Sequence, residues 1–179
     1  MEWKPVSRGS LYAWTSVYTA FLLYAVLDKT GFLFIDEVNL IVHEAGHLIF
    51  GWLGRTLGLW GGTIFELLVP LLLAVHFAVR GELPGTVLCA FLFFENLLYI
   101  SVYMADARTQ ALPLVTVGDP DLGMHDWHAI FSSLGILNHD LAVARFVRLL
   151  GWVGMLGTIG YLWVAALRSP TGNAELTGP

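Results

Sequence analysis

One short pattern in the chain combines residue types and spacing that could carry out chemistry: His-Glu-x-x-His, from His43 to His47. On a helix, the two histidines stand four residues apart on one face, so both imidazoles can bind a single metal ion. Glu44 lies beside them, where its carboxylate can take a proton from water. The pattern therefore predicts a ligand, a general base and a second ligand, and zinc is the usual metal on such a helix.

The competing interpretation of these three residues is structural, because a buried histidine or glutamate can simply hydrogen-bond a neighbouring helix. The pattern, however, lies in an otherwise apolar segment, residues 38–54. Each polar group placed in hydrocarbon without a partner costs several kcal/mol, in the range of roughly 2–7 kcal/mol. Three such groups at these offsets favour a metal site over packing. The small pair Ala45-Gly46 between the ligands also leaves room for a neighbouring helix.

A catalytic zinc usually has three protein ligands and one open position, so a further Asp, Glu, His or Cys is needed. Asp106 is one candidate, because it ends a predicted helix that runs in the same direction as the motif helix and reaches the same side. The alternative role for Asp106 is a cap, or an interfacial charge paired with Arg108.

The second candidate for the third ligand is the cluster His125-Asp126-Trp127-His128, which follows a turn-rich stretch. Asp126 or His125 could fold back over the metal, and either aspartate candidate could instead orient a ligating imidazole. The competing interpretation of the cluster is a solvated loop, with Trp127 as its anchor at the membrane interface. The residues alone leave both candidates open.

The composition is that of a membrane protein. The chain has 179 residues, of which 56% are hydrophobic and only 13% are charged, and its mean hydropathy is +0.69. The net charge of −5, without a basic run, gives no reason to expect a nucleic-acid partner. The single cysteine, Cys89, cannot form an intramolecular disulfide and is expected to be a packing residue.

Hydrophobic runs predict an all-α membrane protein, a polytopic bundle of about five transmembrane helices with the His-Glu-x-x-His helix in its core. Residues 1–168 form a single domain in this prediction, and residues 169–179 form a disordered tail. Two intramembrane carboxylates, Glu66 and Glu95, are expected to face the bundle interior. The predicted spans are residues 9–27, 32–54, 62–79, 86–104 and 142–167.

The distribution of lysine and arginine predicts the orientation. Six basic residues lie on the side where the amino terminus starts and three lie on the opposite side, which favours a cytoplasmic amino terminus. The first group is Lys4, Arg8, Arg55, Arg108, Arg145 and Arg148, and the second is Lys29, Arg80 and Arg168. The metal would then lie within the membrane, nearer its cytoplasmic face.

The run from Asn39 to Leu48, followed by Gly-Trp-Leu-Gly-Arg at residues 51–55, resembles the site-2 protease family of intramembrane zinc metallopeptidases, especially its small bacterial members. The family places its third ligand, an aspartate, on the second helix after the motif helix. The resemblance therefore implies Asp106 as that ligand and Asn96 as a counterpart of the family's substrate-holding asparagine. The Leu-Asp-Gly signature that the family usually carries at the third ligand does not occur in this chain.

Together, the motif and the resemblance predict a zinc-dependent endopeptidase in the lipid bilayer, in a bacterial cytoplasmic membrane. Its substrate is expected to be another membrane protein, cut within or next to a transmembrane segment. The alternative is a non-proteolytic metal-binding membrane protein, such as a sensor, carrier or assembly factor. A third interpretation is a purely structural helix bundle. The sequence leaves open whether the bundle acts alone or as a homo-oligomer.

Overall fold

The computed structural model describes residues 2–113 and 125–168, and all regular structure within those ranges is helical. The six α-helices are α1 (Arg8–Leu27), α2 (Asp36–Gly51), α3 (Arg55–Val79), α4 (Leu83–Ala105), α5 (Asp126–Ser133) and α6 (Asp140–Arg168). A short 3₁₀ helix, Leu137–His139, immediately precedes α6. The predicted disordered tail, residues 169–179, lies outside the described residues.

Four of these helices are long and apolar enough to cross a membrane, judged by length and composition: α1, α3, α4 and the segment Leu137–Arg168 that contains α6. This confirms the all-α prediction and fits a multi-pass membrane protein. Helix α2, which carries the motif, has 16 residues and is therefore about 24 Å long at helical rise.

Helix α3 begins seven residues earlier than the sequence predicted, at Arg55 instead of residue 62. Gly58, Gly61 and Gly62 are typical of a turn, but here they are helical and allow α2 and α3 to approach closely. A Cβ on Gly61 would lie only 2.7 Å from the Gly46 carbonyl oxygen and 2.9 Å from the Phe50 Cβ. The glycines therefore serve helix contact, as small residues do in membrane bundles.

Two compact units divide the chain. The first comprises Met1–Lys29, Val69–Glu95 and Trp152–Pro179. Its core includes Tyr18, whose ring centroid lies 4.8 Å from that of Phe91. Trp163 Nε1 also donates a 3.0 Å hydrogen bond to Thr15 Oγ1, so α1 and α6 are joined within this unit.

The second unit, Thr30–Leu68 and Asn96–Gly151, contains the motif. Its hydrophobic core packs α5 against α4 and the start of α6. The buried members of this core are Ile100, Met104, Ala107, Trp127, Ile130, Phe131 and Ala144. Trp127 is 4% exposed and packs edge-on against Trp60, with ring centroids 5.6 Å apart. The interpretation of residues 125–128 as a solvated loop with an interfacial tryptophan is therefore wrong, because an apolar core fixes this segment.

Candidate metal centre

Helix α2 places its two histidines next to each other on one face. The ring centroids of His43 and His47 are 4.9 Å apart, as expected for residues at i and i+4. The side chain of His43 is 4% exposed and that of His47 is 26% exposed. The pair is therefore buried at one ring and accessible at the other.

Asp126 joins the two histidines from a distant part of the sequence. Its Oδ2 atom lies 3.0 Å from Nε2 of His43 and 3.0 Å from Nε2 of His47. Within the described residues, these three side chains form the one group of His, Cys, Asp or Glu whose ligand atoms all lie within 4.8 Å of one another. The group could hold a metal ion.

The other nitrogen of each imidazole also faces an oxygen. Nδ1 of His43 lies 3.1 Å from Oε2 of Glu66, a carboxylate on α3. Nδ1 of His47 lies 2.7 Å from the carbonyl oxygen of Gly58, also on α3. Histidines that bind a metal usually donate the second ring N–H to a carboxylate or a backbone carbonyl in this way, which fixes the tautomer and the ring orientation.

Two neutral imidazoles do not have enough N–H groups to donate a hydrogen bond in all four of these contacts. A neutral imidazole has one N–H donor and one acceptor nitrogen, yet both nitrogens of His43 and both of His47 face oxygen atoms. With neutral rings and ionised carboxylates, the two Nε2 lone pairs would point at one carboxylate oxygen. A cation held by both Nε2 atoms and Asp126 removes this conflict, so the donor set fits a metal ion.

Comparisons with known protein families, with curated proteins and with solved structures give no match for this chain.

Helix α5 holds Asp126 in place. The backbone N–H of Asp126 donates to the Tyr103 hydroxyl at 3.2 Å. Burial raises the pKa of the Asp126 carboxyl, but its contacts with the His43 and His47 imidazoles outweigh that effect and keep the pKa below its usual value. Asp126 is therefore ionised at neutral pH, as a metal ligand must be.

Asp106 has a different environment from the one a third ligand needs. Its carboxylate accepts hydrogen bonds from Thr109 Oγ1 at 2.5 Å, Ala111 N at 2.9 Å and Leu112 N at 3.0 Å. Burial raises the pKa of Asp106, but these hydrogen bonds hold it below its usual value. Asp106 thus caps the turn after α4 and does not belong to the group formed by His43, His47 and Asp126.

The cap role considered for Asp106 agrees with these bonds, but the pairing with Arg108 does not. Arg108 Nε donates instead to Asp140 Oδ2 at 2.7 Å. This ion pair links the segment after α4 to the first residue of α6.

His125 lies beside the site without entering the group of three. Its Nδ1 accepts a hydrogen bond from the backbone N–H of His128 at 3.2 Å, so His125 caps the amino terminus of α5. Its Nε2 lies 3.4 Å from Asp106 Oδ2, and its ring packs on Tyr103 with centroids 4.3 Å apart. His125 and Asp106 together fix the start of the helix that carries Asp126.

Asn96, the expected substrate-holding residue, is 4% exposed. Its Nδ2 donates to the backbone carbonyl of Glu66 at 2.6 Å. The bond ties α4 to α3 directly behind the carboxylate that faces His43, so the side-chain amide of Asn96 supports the backbone of Glu66.

Sequence reasoning missed the partner of Glu66. The carboxylate was expected to face the bundle interior, and it is 1% exposed. Its contact with His43 spans 23 residues of sequence. Helical spacing in the sequence could have indicated this contact, because Gly62 and Glu66 are four residues apart and so lie on one face of α3. Gly62 leaves room for the His43 ring, and Glu66 contacts that ring.

Proposed function

We propose that the protein is a membrane-embedded, zinc-dependent endopeptidase that hydrolyses a peptide bond within or next to a transmembrane segment of another protein. One observation carries the proposal: Nε2 of His43 and Nε2 of His47 share one oxygen of Asp126 at 3.0 Å, while both Nδ1 atoms are held by oxygen acceptors. Glu44, the expected base, lies between the two histidines in the sequence.

The two separations between Asp126 Oδ2 and the imidazole Nε2 atoms fit the bond lengths of zinc. With ligand bonds of about 2.0 Å, a tetrahedral site places neighbouring ligand atoms about 3.3 Å apart, close to the 3.0 Å separations between each Nε2 and Asp126. Two imidazoles and a carboxylate leave a fourth position for water or substrate, which is the arrangement of catalytic zinc sites. When bound, Zn²⁺ supplies Lewis-acid chemistry, acidifying a water molecule and polarising a peptide carbonyl.

Residues of the chain would then carry out the proton transfers and hold the metal. Glu44 accepts a proton from water at its carboxylate and later passes it to the leaving amine. Glu66 and the Gly58 carbonyl would accept the Nδ1 protons of His43 and His47, which leaves the Nε2 lone pair of each ring to bind the metal. Glu44 also lines a cavity together with His43, so both side chains face a space that a peptide could enter.

The outer face of α2 supports an embedded site. Four large apolar residues of this helix are at least half exposed: Val38 at 58%, Ile41 at 69%, Leu48 at 56% and Ile49 at 51%. An apolar outer face is expected where lipid, not water, surrounds a helix. We therefore infer that α2 is a fifth membrane-spanning helix.

Two measurements on the purified protein test this function: its zinc content and its cleavage of a peptide. The detergent-purified protein is expected to hold about one zinc per chain and to cut a model transmembrane peptide. Glu44→Gln should keep the metal and lose cleavage by about 100-fold or more, because it removes the base and no ligand. Glu37→Gln is the matched control, since Glu37 is an exposed residue of the same helix and its replacement should change neither property.

Each outcome distinguishes one class of function from another. Bound zinc with no effect of Glu44→Gln on the protein's activity would favour a non-proteolytic metal-binding protein, because a binder needs no general base. Absence of zinc after zinc has been supplied would contradict the metalloenzyme and leave a structural helix bundle.

A further inference from the structure

A cavity of about 300 Å³ opens beside the candidate metal centre in the second unit. Two of the residues that line it are His43 and Glu44. A peptide bond placed at the centre would therefore extend its neighbouring side chain into this space. The volume is at the lower end of the range of small-molecule sites, about 300–1,000 Å³.

The walls of the cavity are mainly apolar and come from three parts of the unit. The turn before α2, together with α2 itself, contributes Phe32 and Leu40, α4 contributes Val102, and the segment after α4 contributes Leu112 and Pro113. None of these five side chains can hydrogen-bond or carry charge. A polar or charged group entering the cavity would lose its hydration without gaining a partner from them.

Most polar groups in the lining already have partners. Thr30 Oγ1 donates to the Phe32 carbonyl at 2.9 Å and accepts from the Phe32 N–H at 3.1 Å. The Tyr103 hydroxyl accepts from the Asp126 N–H. The polar groups left to act on a ligand are the Glu44 carboxylate and the hydroxyls of Tyr99 and Tyr103.

The walls are also held in position before any ligand binds. The Thr30 turn fixes Phe32, whose ring packs edge-on against Tyr99 with centroids 5.8 Å apart. Gly31 has a positive φ of +74°, and a Cβ there would lie 3.5 Å from Val102 Cγ2. The turn and α4 thus meet at Val102, which makes this residue a fixed wall of the cavity.

We propose that this cavity is the subsite that receives a bulky apolar side chain, such as Leu, Met or Phe, adjacent to the scissile bond of the substrate. The proposal rests on the proposed endopeptidase function and names the feature that the enzyme selects. Selection acts by shape and by exclusion of polar groups, because burying an apolar side chain gains little when the alternative environment is lipid.

The experiment uses the full-length protein with a series of transmembrane peptides that carry Ala, Leu, Phe or Asp on either side of the cleavage position. The parent should cleave the best Leu or Phe peptide with kcat/KM about tenfold or more above the Ala and Asp peptides. Val102→Phe fills the cavity and should remove this preference. Val38→Phe makes the same change on the exposed face of α2 and should leave the preference intact.

Two further measurements test the proposal if Val102→Phe does not fold or if none of the peptides is cleaved. Leu112→Trp also narrows the cavity. Leu112 is 38% exposed, so a larger side chain at this position should disturb the fold less than Val102→Phe. Binding of a benzyl-bearing and a methyl-bearing hydroxamate to the zinc-loaded protein gives a readout without cleavage. The benzyl compound should bind about tenfold tighter, and both cavity variants should abolish that difference.

The outcomes separate this inference from the function on which it rests. Cleavage without side-chain preference, or a preference that survives both cavity variants, would overturn the subsite and leave the endopeptidase intact. Equal binding of the two hydroxamates would do the same. Absence of zinc, with neither hydroxamate bound, would overturn the enzyme and the subsite together.

Discussion

A single oxygen atom, Oδ2 of Asp126, meets Nε2 of both His43 and His47 at 3.0 Å. The proposed metal site needs a third ligand, and Asp126 and Asp106 are the two aspartates considered for it. Asp106 satisfies its carboxylate with Thr109 and two backbone N–H groups, whereas Asp126 directs one oxygen at the two imidazoles.

We therefore predict opposite effects for the two aspartates on metal content. Asp126→Ala should lower bound zinc from about one per chain to near zero, because two imidazoles alone hold zinc weakly. Asp106→Ala should retain most of the zinc and lower thermal stability, since it removes the cap of the turn after α4. Elemental analysis and thermal unfolding of the purified variants check both. Zinc lost only in Asp106→Ala would reverse the assignment.

Glu66 should control the affinity of the site without binding the metal. Glu66→Ala removes the carboxylate that faces His43 Nδ1, and loss of such a partner typically weakens metal binding by about 10–100-fold. Glu66→Gln, which keeps an acceptor oxygen and loses the charge, should fall between Glu66→Ala and the parent. Competition with a zinc chelator measures these affinities.

Glu95→Gln is the matched control for Glu66→Gln, because Glu95 is another fully buried carboxylate in an apolar helix. Its zinc affinity should equal that of the parent. Equal losses at both positions would indicate a general effect of removing buried charge and not a specific effect on His43.

The sequence alone was sufficient to predict some residues of the candidate site but not all of them. His43, Glu44 and His47 form a local pattern, so helical periodicity alone brings the two rings together. Asp126 lies 83 residues from His43, and no periodicity relates two segments at that distance. Sequence reasoning could nominate His125-Asp126, but our preference for Asp126 over Asp106 as the proposed third ligand rests on the packing of α5.

At the scale of elements, the contact between α2 and α3 depends on glycines. A Cβ on Gly46 would overlap the Gly61 carbonyl, and a Cβ on Gly62 would overlap the His43 imidazole. The small residues thus admit the His43 ring between the helices, where it reaches Glu66. Both the helix contact and the proposed metal site therefore require small residues at positions 46 and 62.

Gly62→Ala should therefore weaken zinc binding more than it weakens the fold. The added methyl group would displace the His43 ring from α3, and small displacements of a ligand are costly at a site with fixed geometry. Gly51→Ala is the control, because a Cβ on Gly51 has no neighbour within 4 Å. Zinc content and helicity by circular dichroism check both variants, and normal zinc in Gly62→Ala would contradict the close approach.

The existence of the long helices could be predicted from hydrophobic runs, but the start of α3 and the presence of α5 could not. The start of α3 was predicted too late because Gly58, Gly61 and Gly62 favour turns unless a neighbouring helix requires small residues. Helix α5 has only 8 residues and lies in a polar stretch, so it gives little periodic signal. Its tertiary core, with Trp127 and Phe131, makes it stable.

At the scale of the whole chain, the distribution of basic residues predicts that α2 crosses the membrane towards the cytoplasm. Lys29 precedes α2 and Arg55 follows it. A cysteine at residue 29 should react with an impermeant maleimide in intact cells, and a cysteine at residue 55 should react only after permeabilisation. Cys89 is buried, so background labelling should be low, and Cys89→Ser removes it.

Labelling of Lys29→Cys and Arg55→Cys from the same side would contradict a crossing by α2. The reverse pattern, with residue 55 accessible from outside, would keep the crossing and invert the orientation. The parent protein, which has only Cys89, serves as the negative control for both.

The distance along the chain between the two halves of the proposed site has a consequence for turnover of the protein. A metal bound by His47 and Asp126, 79 residues apart, closes a long loop and thereby acts as a removable cross-link. Each tenfold rise in free zinc above the dissociation constant then stabilises the folded chain by about 1.4 kcal/mol. In zinc-starved cells this cross-link would be lost, so cellular proteases would remove the protein faster when the proposed site holds no metal.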